Sequence, residues 1–302
     1  MDPRCGLLSR ALSSAVARGL GLENSSSLGL PGTRAAQRAR RALAALDKPE
    51  DPTMATEKKH RRTARKVPSL PTEVSAQRWD GYSLGPLHER HALAHFADRW
   101  RFEEPLYQEI ARSVPYGGKV LEVGSGSGAN LVLLAARGFQ VTGVEYRPRV
   151  VEAARDIASS LKVEVPYDVA DAFDLASYRG FDLAFSVGMI EHWPREDAVR
   201  AIHEQAKAAR VVVVNVPTRY TRYTGEITDE RFYSRRQLRQ IMRDAGLSTV
   251  RSLAYGDVPN LAGRVCRLLL PELIYGRGLQ LYCGWPAMAH VAVGTSEMHP
   301  RE

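Results

Sequence analysis

Residues 120–128 read Val120-Leu121-Glu122-Val123-Gly124-Ser125-Gly126-Ser127-Gly128. An apolar strand runs into three glycines at alternate positions, and the helical stretch Asn130–Ala136 follows. Glycines in that place let the backbone turn tightly and let a ligand lie against bare amides. Seventeen residues beyond Gly128, Glu145 ends the next apolar strand. A carboxylate there can accept hydrogen bonds from both ribose hydroxyls of a nucleoside. Strand, glycines, helix, strand and terminal acid, in that order, point to a nucleoside cofactor.

Outward from this unit, short apolar runs alternate with amphipathic segments. Strands are expected at Lys119–Val123, Val141–Glu145, Val163–Val169, Phe181–Val187 and Val211–Val216. Helices are expected at Pro148–Leu161 and Arg195–Ala209 between them. Ser234 to Ala245 reads as a further helix stopped by Gly246, with two more strands at Thr249–Ala254 and Ala287–Gly294. That alternation predicts an α/β fold, a doubly wound, seven-stranded, mostly parallel sheet with helices on both faces. Ahead of it, His88 to Val114 reads as helical with one break near Glu104-Pro105, because a helix interior disfavours proline.

Two readings of the glycine loop compete. Gly124, Gly126 and Ala129 satisfy the fingerprint of dinucleotide enzymes, which makes a nicotinamide-dependent oxidoreductase one alternative. Glu122, however, puts a carboxylate two residues before the glycines, where a dinucleotide site has an apolar residue, and no Tyr-x-x-x-Lys pair is visible. A non-catalytic nucleoside-binding module is the other alternative.

From about Phe102 to Gly294 the chain resembles the class I S-adenosylmethionine-dependent methyltransferases. The resemblance implies that Glu122, Gly124, Ser125, Gly126 and Gly128 wrap the methionine part of the cofactor. It implies that Glu145 holds the ribose, that Tyr146 packs on adenine, and that Asp171-Ala172 holds the adenine amino group. Phe181 to Val187 with Gly188-Met189-Ile190-Glu191-His192 looks like the fourth strand and its loop, so Val187 joins the cofactor set. Phe232-Tyr233-Ser234 resembles the start of the last sheet helix. In one departure, Lys207-Ala208-Ala209-Arg210 leads straight into the fifth strand where many relatives have a Pro-Gly turn.

The implied reaction is methyl transfer to a small-molecule oxygen, nitrogen or carbon acceptor. It needs alignment and water exclusion more than acid–base power. An acceptor that must lose a proton invites a base, and His192 is the candidate; the competing account has Glu191 and His192 hold the loop by hydrogen bonds. Tyr82 and Trp100 ahead of the sheet, and Tyr220 and Tyr223 after the fifth strand, are candidate acceptor contacts. His88, His91 and His95 share a helical face, but no carboxylate or cysteine completes a metal set, so no metal is expected.

The rest of the chain bounds the partners. Residues 1–70 hold 14 Lys/Arg against 6 Asp/Glu, so the whole net charge of +8 lies there, and residues 71–302 hold 28 of each. A neutral body argues against a nucleic-acid grip. Residues 1–70 are expected to be a disordered basic leader before a methyltransferase domain over 71–302, with lid helices at 71–115 and an apolar insert at 258–285. The insert could cap a lipophilic acceptor or form an oligomer face. Cys5, Cys266 and Cys283 make no CxxC pair, and no apolar run approaches a membrane span. These features suit the cytoplasm, or the mitochondrion if the Arg-rich leader is a transit peptide.

Overall fold

The computed structural model describes residues 92–221, 230–257 and 287–298. The leader, Tyr82, Tyr223 and the insert fall outside them. Helix α1 (Ala92–Ser113) comes first, followed by β1 (Lys119–Val123), α2 (Ala129–Ala135), β2 (Gln140–Glu145), α3 (Pro148–Ser160) and β3 (Tyr167–Val169). Then come β4 (Phe181–Val187), a single 3-10 turn (Ile190–His192), α4 (Arg195–Ala208), β5 (Ala209–Pro217), α5 (Arg235–Asp244), β6 (Leu247–Asp257) and β7 (Ala287–Ser296). The strands form one sheet in the order β3-β2-β1-β4-β5-β7-β6. Only β7 runs antiparallel to its neighbours. The doubly wound expectation holds, and β1 and β4 hold residue for residue.

Register decides which side chains share a face. Leu121, Ala184 and Val212 lie side by side, as do Glu122, Gly143 and Phe185. The first row belongs to the apolar side: Val212, Val214 and Val216 pack with Ala198, Ile202 and Ala206 of α4 and Leu238, Ile241 and Met242 of α5. Helix α5 earns its start from a full capping box, in which Ser234 and Gln237 satisfy each other's backbone amides. The second row lies under α1 and α2, and on that side Glu122 is buried at 1 % exposure.

Three expectations are corrected. Helix α1 runs unbroken through Pro105. An interior proline costs about 3 kcal/mol, but Leu106, Tyr107 and Ile110 are fully buried in the turn after it. Burial of side chains of that size contributes about 1.5–3 kcal/mol each, which outweighs the proline. Strand β3 begins only at Tyr167, because Pro166 has no amide to donate and offers only its carbonyl, to Gly143 N at 2.9 Å. Strand β5 begins at Ala209, two residues ahead of the expected Val211, directly after Ala208 ends α4 and with extended φ −142°. The carbonyl of Ala206 at that helix end accepts the Ser296 hydroxyl from β7 at 2.7 Å.

Candidate cofactor site at the carboxyl edge of the sheet

The glycine loop leaves β1 with Gly124, Gly126 and Gly128 all in the left-handed region, at φ +74°, +51° and +73°. Side chains resist that conformation, so the alternate glycines are required by the backbone path. At Gly128 space is also lacking, since a Cβ would lie 2.2 Å from the Tyr167 hydroxyl. The loop is pinned to β2, with Gly124 N and Ser125 N both donating to the Val144 carbonyl at 2.9 and 3.0 Å.

Two carboxylates flank the loop. Glu145, at the end of β2, is 7 % exposed. Its Oε2 accepts from Gly126 N at 3.1 Å, and its Oε1 accepts from Arg147 N at 3.2 Å and Arg147 Nε at 2.9 Å. Glu122, on β1, has a neutral partner instead: Asn130 Nδ2 donates to its Oε1 at 2.6 Å. Its Oε2 is buried with no hydrogen-bond partner. Burial in this poorly compensated place pushes the Glu122 carboxyl up to about 8.

Behind Asn130 stands a buried network from α1 that sequence reasoning missed. Tyr107 Oη donates to Asn130 Oδ1 at 2.7 Å, and Arg99 Nε donates to the same oxygen at 3.2 Å. Glu103 pairs with Arg99 at 3.1 Å and lies 3.2 Å from the Tyr107 hydroxyl. The one available signal was Asn130 itself, a lone polar residue in the apolar run Ala129–Ala135.

The remaining expected residues lie along the same edge. Tyr146 is exposed beside Glu145, leaving its ring face open for an aromatic ligand. Asp171 Oδ1 accepts from Phe173 N at 2.9 Å, shaping the turn after β3, and Ala172 packs into the core beneath. Phe173 in turn packs on Trp193 at 4.8 Å between ring centroids, with the Arg200 guanidinium 4.9 Å from the Phe173 ring. The turn after β3 is thereby braced against the loop after β4. That loop starts at Val187 and Gly188, and Met189 lies over Gly124, where a Cβ would meet its sulfur at 2.9 Å. Glu191 is buried, its carbonyl accepts from Arg231 N at 2.9 Å, and its Oε1 lies 3.7 Å from His192 Nε2. Trp100 lies on α1, while Tyr220 after β5 bonds to Arg219 at 2.9 Å. No group of three or more metal-ligating side chains occurs among the described residues. No helix among them is long and apolar enough to cross a membrane.

Residues 120–211, from β1 into β5, match the family described as a methyltransferase domain. Over that stretch the chain resembles a methyltransferase domain. Over 125 residues it is 36 % identical to a ubiquinone biosynthesis O-methyltransferase of Xanthomonas axonopodis pv. citri (strain 306), covering 40 % of this chain and 47 % of that one. Over 131 residues it is 35 % identical to the enzyme of the same name from Paramagnetospirillum magneticum, covering 41 % and 50 %. The chain thus spans about half the length of the curated relatives it matches. Among solved structures it resembles magnesium protoporphyrin IX methyltransferase from Synechocystis PCC 6803 with bound S-adenosylhomocysteine (TM-score 0.51, 16 % identity, 74 % and 95 % covered). It resembles a [4+2]-cyclase about as well (TM-score 0.50, 19 % identity, 76 % and 98 % covered). At those identities the likeness is one of fold, which on its own does not fix chemistry.

The residues present fit S-adenosylmethionine. Glu122 Oε2 and Ser125 Oγ are buried polar atoms without partners beside the glycine loop. Buried groups of that kind are normally satisfied, so the loop retains acceptors for a cationic, hydrogen-bonding ligand.

Proposed function

We propose that the chain transfers a methyl group from S-adenosylmethionine to a small-molecule acceptor by direct displacement. The observation that carries this reading is the pair of buried acids on adjacent strands, Glu122 and Glu145, with the left-handed glycine loop between them. Glu145 accepts the ribose hydroxyls, Tyr146 covers adenine, and Asp171-Ala172 borders its amino group. Glu122 and the loop from Gly124 to Gly128 take the methionine end beside Val187. S-Adenosylmethionine supplies an activated methyl on a sulfonium with a neutral leaving group, so the chain's work is to align the acceptor and exclude water.

The relatives named for ubiquinone biosynthesis O-methylation support an oxygen acceptor on a small lipophilic molecule. The apolar residues 258–285 would cap such an acceptor or join a second copy, and Tyr82, Trp100, Tyr220 and Tyr223 would contact it. His192 stands at the transferring methyl, taking the acceptor's proton or orienting the acceptor. A cytoplasmic place is part of the proposal, supported by cysteines without disulfide spacing.

The test is calorimetry with S-adenosylmethionine, S-adenosylhomocysteine and NADH. The first two should bind and the third should not; NADH binding alone would restore the oxidoreductase reading. Incubating extracts with isotope-labelled cofactor should then produce one labelled small molecule, whereas none would leave a binding module. With the acceptor known, His192→Gln should lose ~10²–10⁴ in turnover at saturating cofactor if His192 is the base. A fall in cofactor affinity with turnover kept would place it in the binding shell.

A further inference from the structure

The buried chain of polar groups on α1 reaches Glu122 only through Asn130, and each link has a definite direction. The amide oxygen of Asn130 accepts from two donors, Tyr107 Oη at 2.7 Å and Arg99 Nε at 3.2 Å. With its oxygen so occupied, the amide has only its NH2 group to present to Glu122, and it does so at 2.6 Å. Tyr107 Oη lies 2.7 Å from Asn130 Oδ1 and 3.2 Å from Glu103 Oε2, so the shorter contact is to Asn130. The result is a carboxyl group with Oε1 tethered and Oε2 buried and unpartnered.

We propose that Asn130, locked by Tyr107 and Arg99, is a positioning residue that aims Glu122 Oε2 at the cationic methionine end of the cofactor and governs when Glu122 gives up its proton. This rests on the cofactor reading above. Among the described residues, the groups facing Glu122 are Arg99, Glu103 and Tyr107 from α1, Asn130 from α2, Glu145 from β2 and Tyr167 from β3. Glu103 is paired with Arg99 and Glu145 with Arg147, while Glu122 is held only by the neutral Asn130 amide, so a ligand ammonium beside Oε2 supplies its counter-charge and draws the proton off. A hydrogen bond donated to a carboxylate favours its charged form, and Asn130 is the direct donor among these groups. Helix α1 thereby becomes part of the cofactor site although none of its residues lies in the glycine motif.

The experiment measures S-adenosylhomocysteine affinity between pH 5.5 and 9.5, together with thermal unfolding of the ligand-free full chain over the same range. Wild-type affinity should rise by up to about tenfold per pH unit and level off once Glu122 is ionised before binding, the mark of one released proton. Asn130→Asp keeps the shape and both donors from α1 but replaces the amide NH2 with an oxygen. It should move the levelling point upward by about one pH unit and weaken binding at pH 7 by about tenfold. Tyr107→Phe should move it the same way by less and converge with wild type above it; this variant carries the test if Asn130→Asp does not fold. A merely structural role would lower affinity equally at every pH, and that result, or an unmoved levelling point in both variants, overturns the proposal. If wild type binds no S-adenosylhomocysteine at any pH, the cofactor reading falls. The unfolding profile, which reads the Glu122 proton without ligand, still decides the relay, because a break that Asn130→Asp does not move rejects it.

Discussion

Glu122 and Glu145 sit near the carboxyl ends of neighbouring parallel strands, are both under 10 % exposed, and face the same glycine loop, yet the protein treats them oppositely. Glu145 has a backbone amide on one oxygen and Arg147 on the other. Glu122 has one amide NH2 and, beyond it, two more carboxyls. The first has a donor on each oxygen, whereas burial raises the second toward neutrality. The difference teaches that a motif places acids, whereas the residues around it decide what each acid is. In this chain those neighbours come from outside the motif, Arg147 two residues on and Tyr107 from α1.

The change expected to do most damage is one that strikes both acids together. Gly126→Val puts a β-branched residue at φ +51° and disturbs the amide that holds Glu145. Left-handed strain of that kind costs about 1–3 kcal/mol, and a misplaced charged hydrogen bond adds about 1.5–3 kcal/mol. Calorimetry should show cofactor affinity falling by more than about a hundredfold, and a fall under tenfold would mean that the loop does not touch the ligand.

The contrast is sharpest as a pH dependence. The Glu122 carboxyl is raised from 4.5 to about 8 in the folded chain. A folded state that keeps its proton longer than the unfolded state is stabilised at low pH and loses that advantage as pH rises. Stability of the ligand-free protein should therefore decline between about pH 5 and pH 8, by up to ~1.4 kcal/mol per pH unit from this group. Glu103, raised by burial in the same network, acts with the same sign. Glu122→Gln removes its share, so thermal unfolding across that range should show a flatter profile. An unchanged profile would show that Glu122 is ionised in the folded chain.

Much of this was legible in the sequence because period and punctuation act locally. The glycines, the strand ends at Val123 and Glu145, and a helix opening at Ser234 follow from residues a few positions apart. The unbroken α1 was not legible, since Pro105 argues locally for a break and the burial that overrides it is tertiary. Nor was the Tyr107–Asn130 link, which joins residues 23 apart, or the Phe173–Trp193 contact across two loops. The sequence located Glu122 and Glu145 equally well but gave no sign that their partners would differ, because that depends on what folds against them.

Glu145→Ala tests the member of the pair that has donors on both oxygens. Losing a buried, charge-assisted acceptor should weaken S-adenosylhomocysteine binding by ~1.5–3 kcal/mol. Unchanged affinity would remove Glu145 from the ribose role.

Arg147→Ala gives the smallest effect and the finest discrimination. The guanidinium covers Glu145 Oε1 at 2.9 Å, and its side chain is 18 % exposed. Oε2 already accepts from Gly126, so a ribose diol must share Oε1 with Arg147 or displace it. Removing the guanidinium has two opposed consequences. The ligand-free protein loses a mostly buried pair, and its stability should fall by about 1 kcal/mol, discounted for the screening that partial exposure allows. The nucleoside no longer competes for Oε1, so S-adenosylhomocysteine affinity should hold or improve by less than about tenfold, with the backbone amide of Arg147 still in place to orient the carboxylate. If affinity instead falls as far as in Glu145→Ala, then the guanidinium is what keeps Glu145 in its binding position. Both acids would then depend on a neighbour to aim them, and the contrast between the pair would lie in the kind of neighbour alone, a guanidinium for Glu145 and a neutral amide for Glu122.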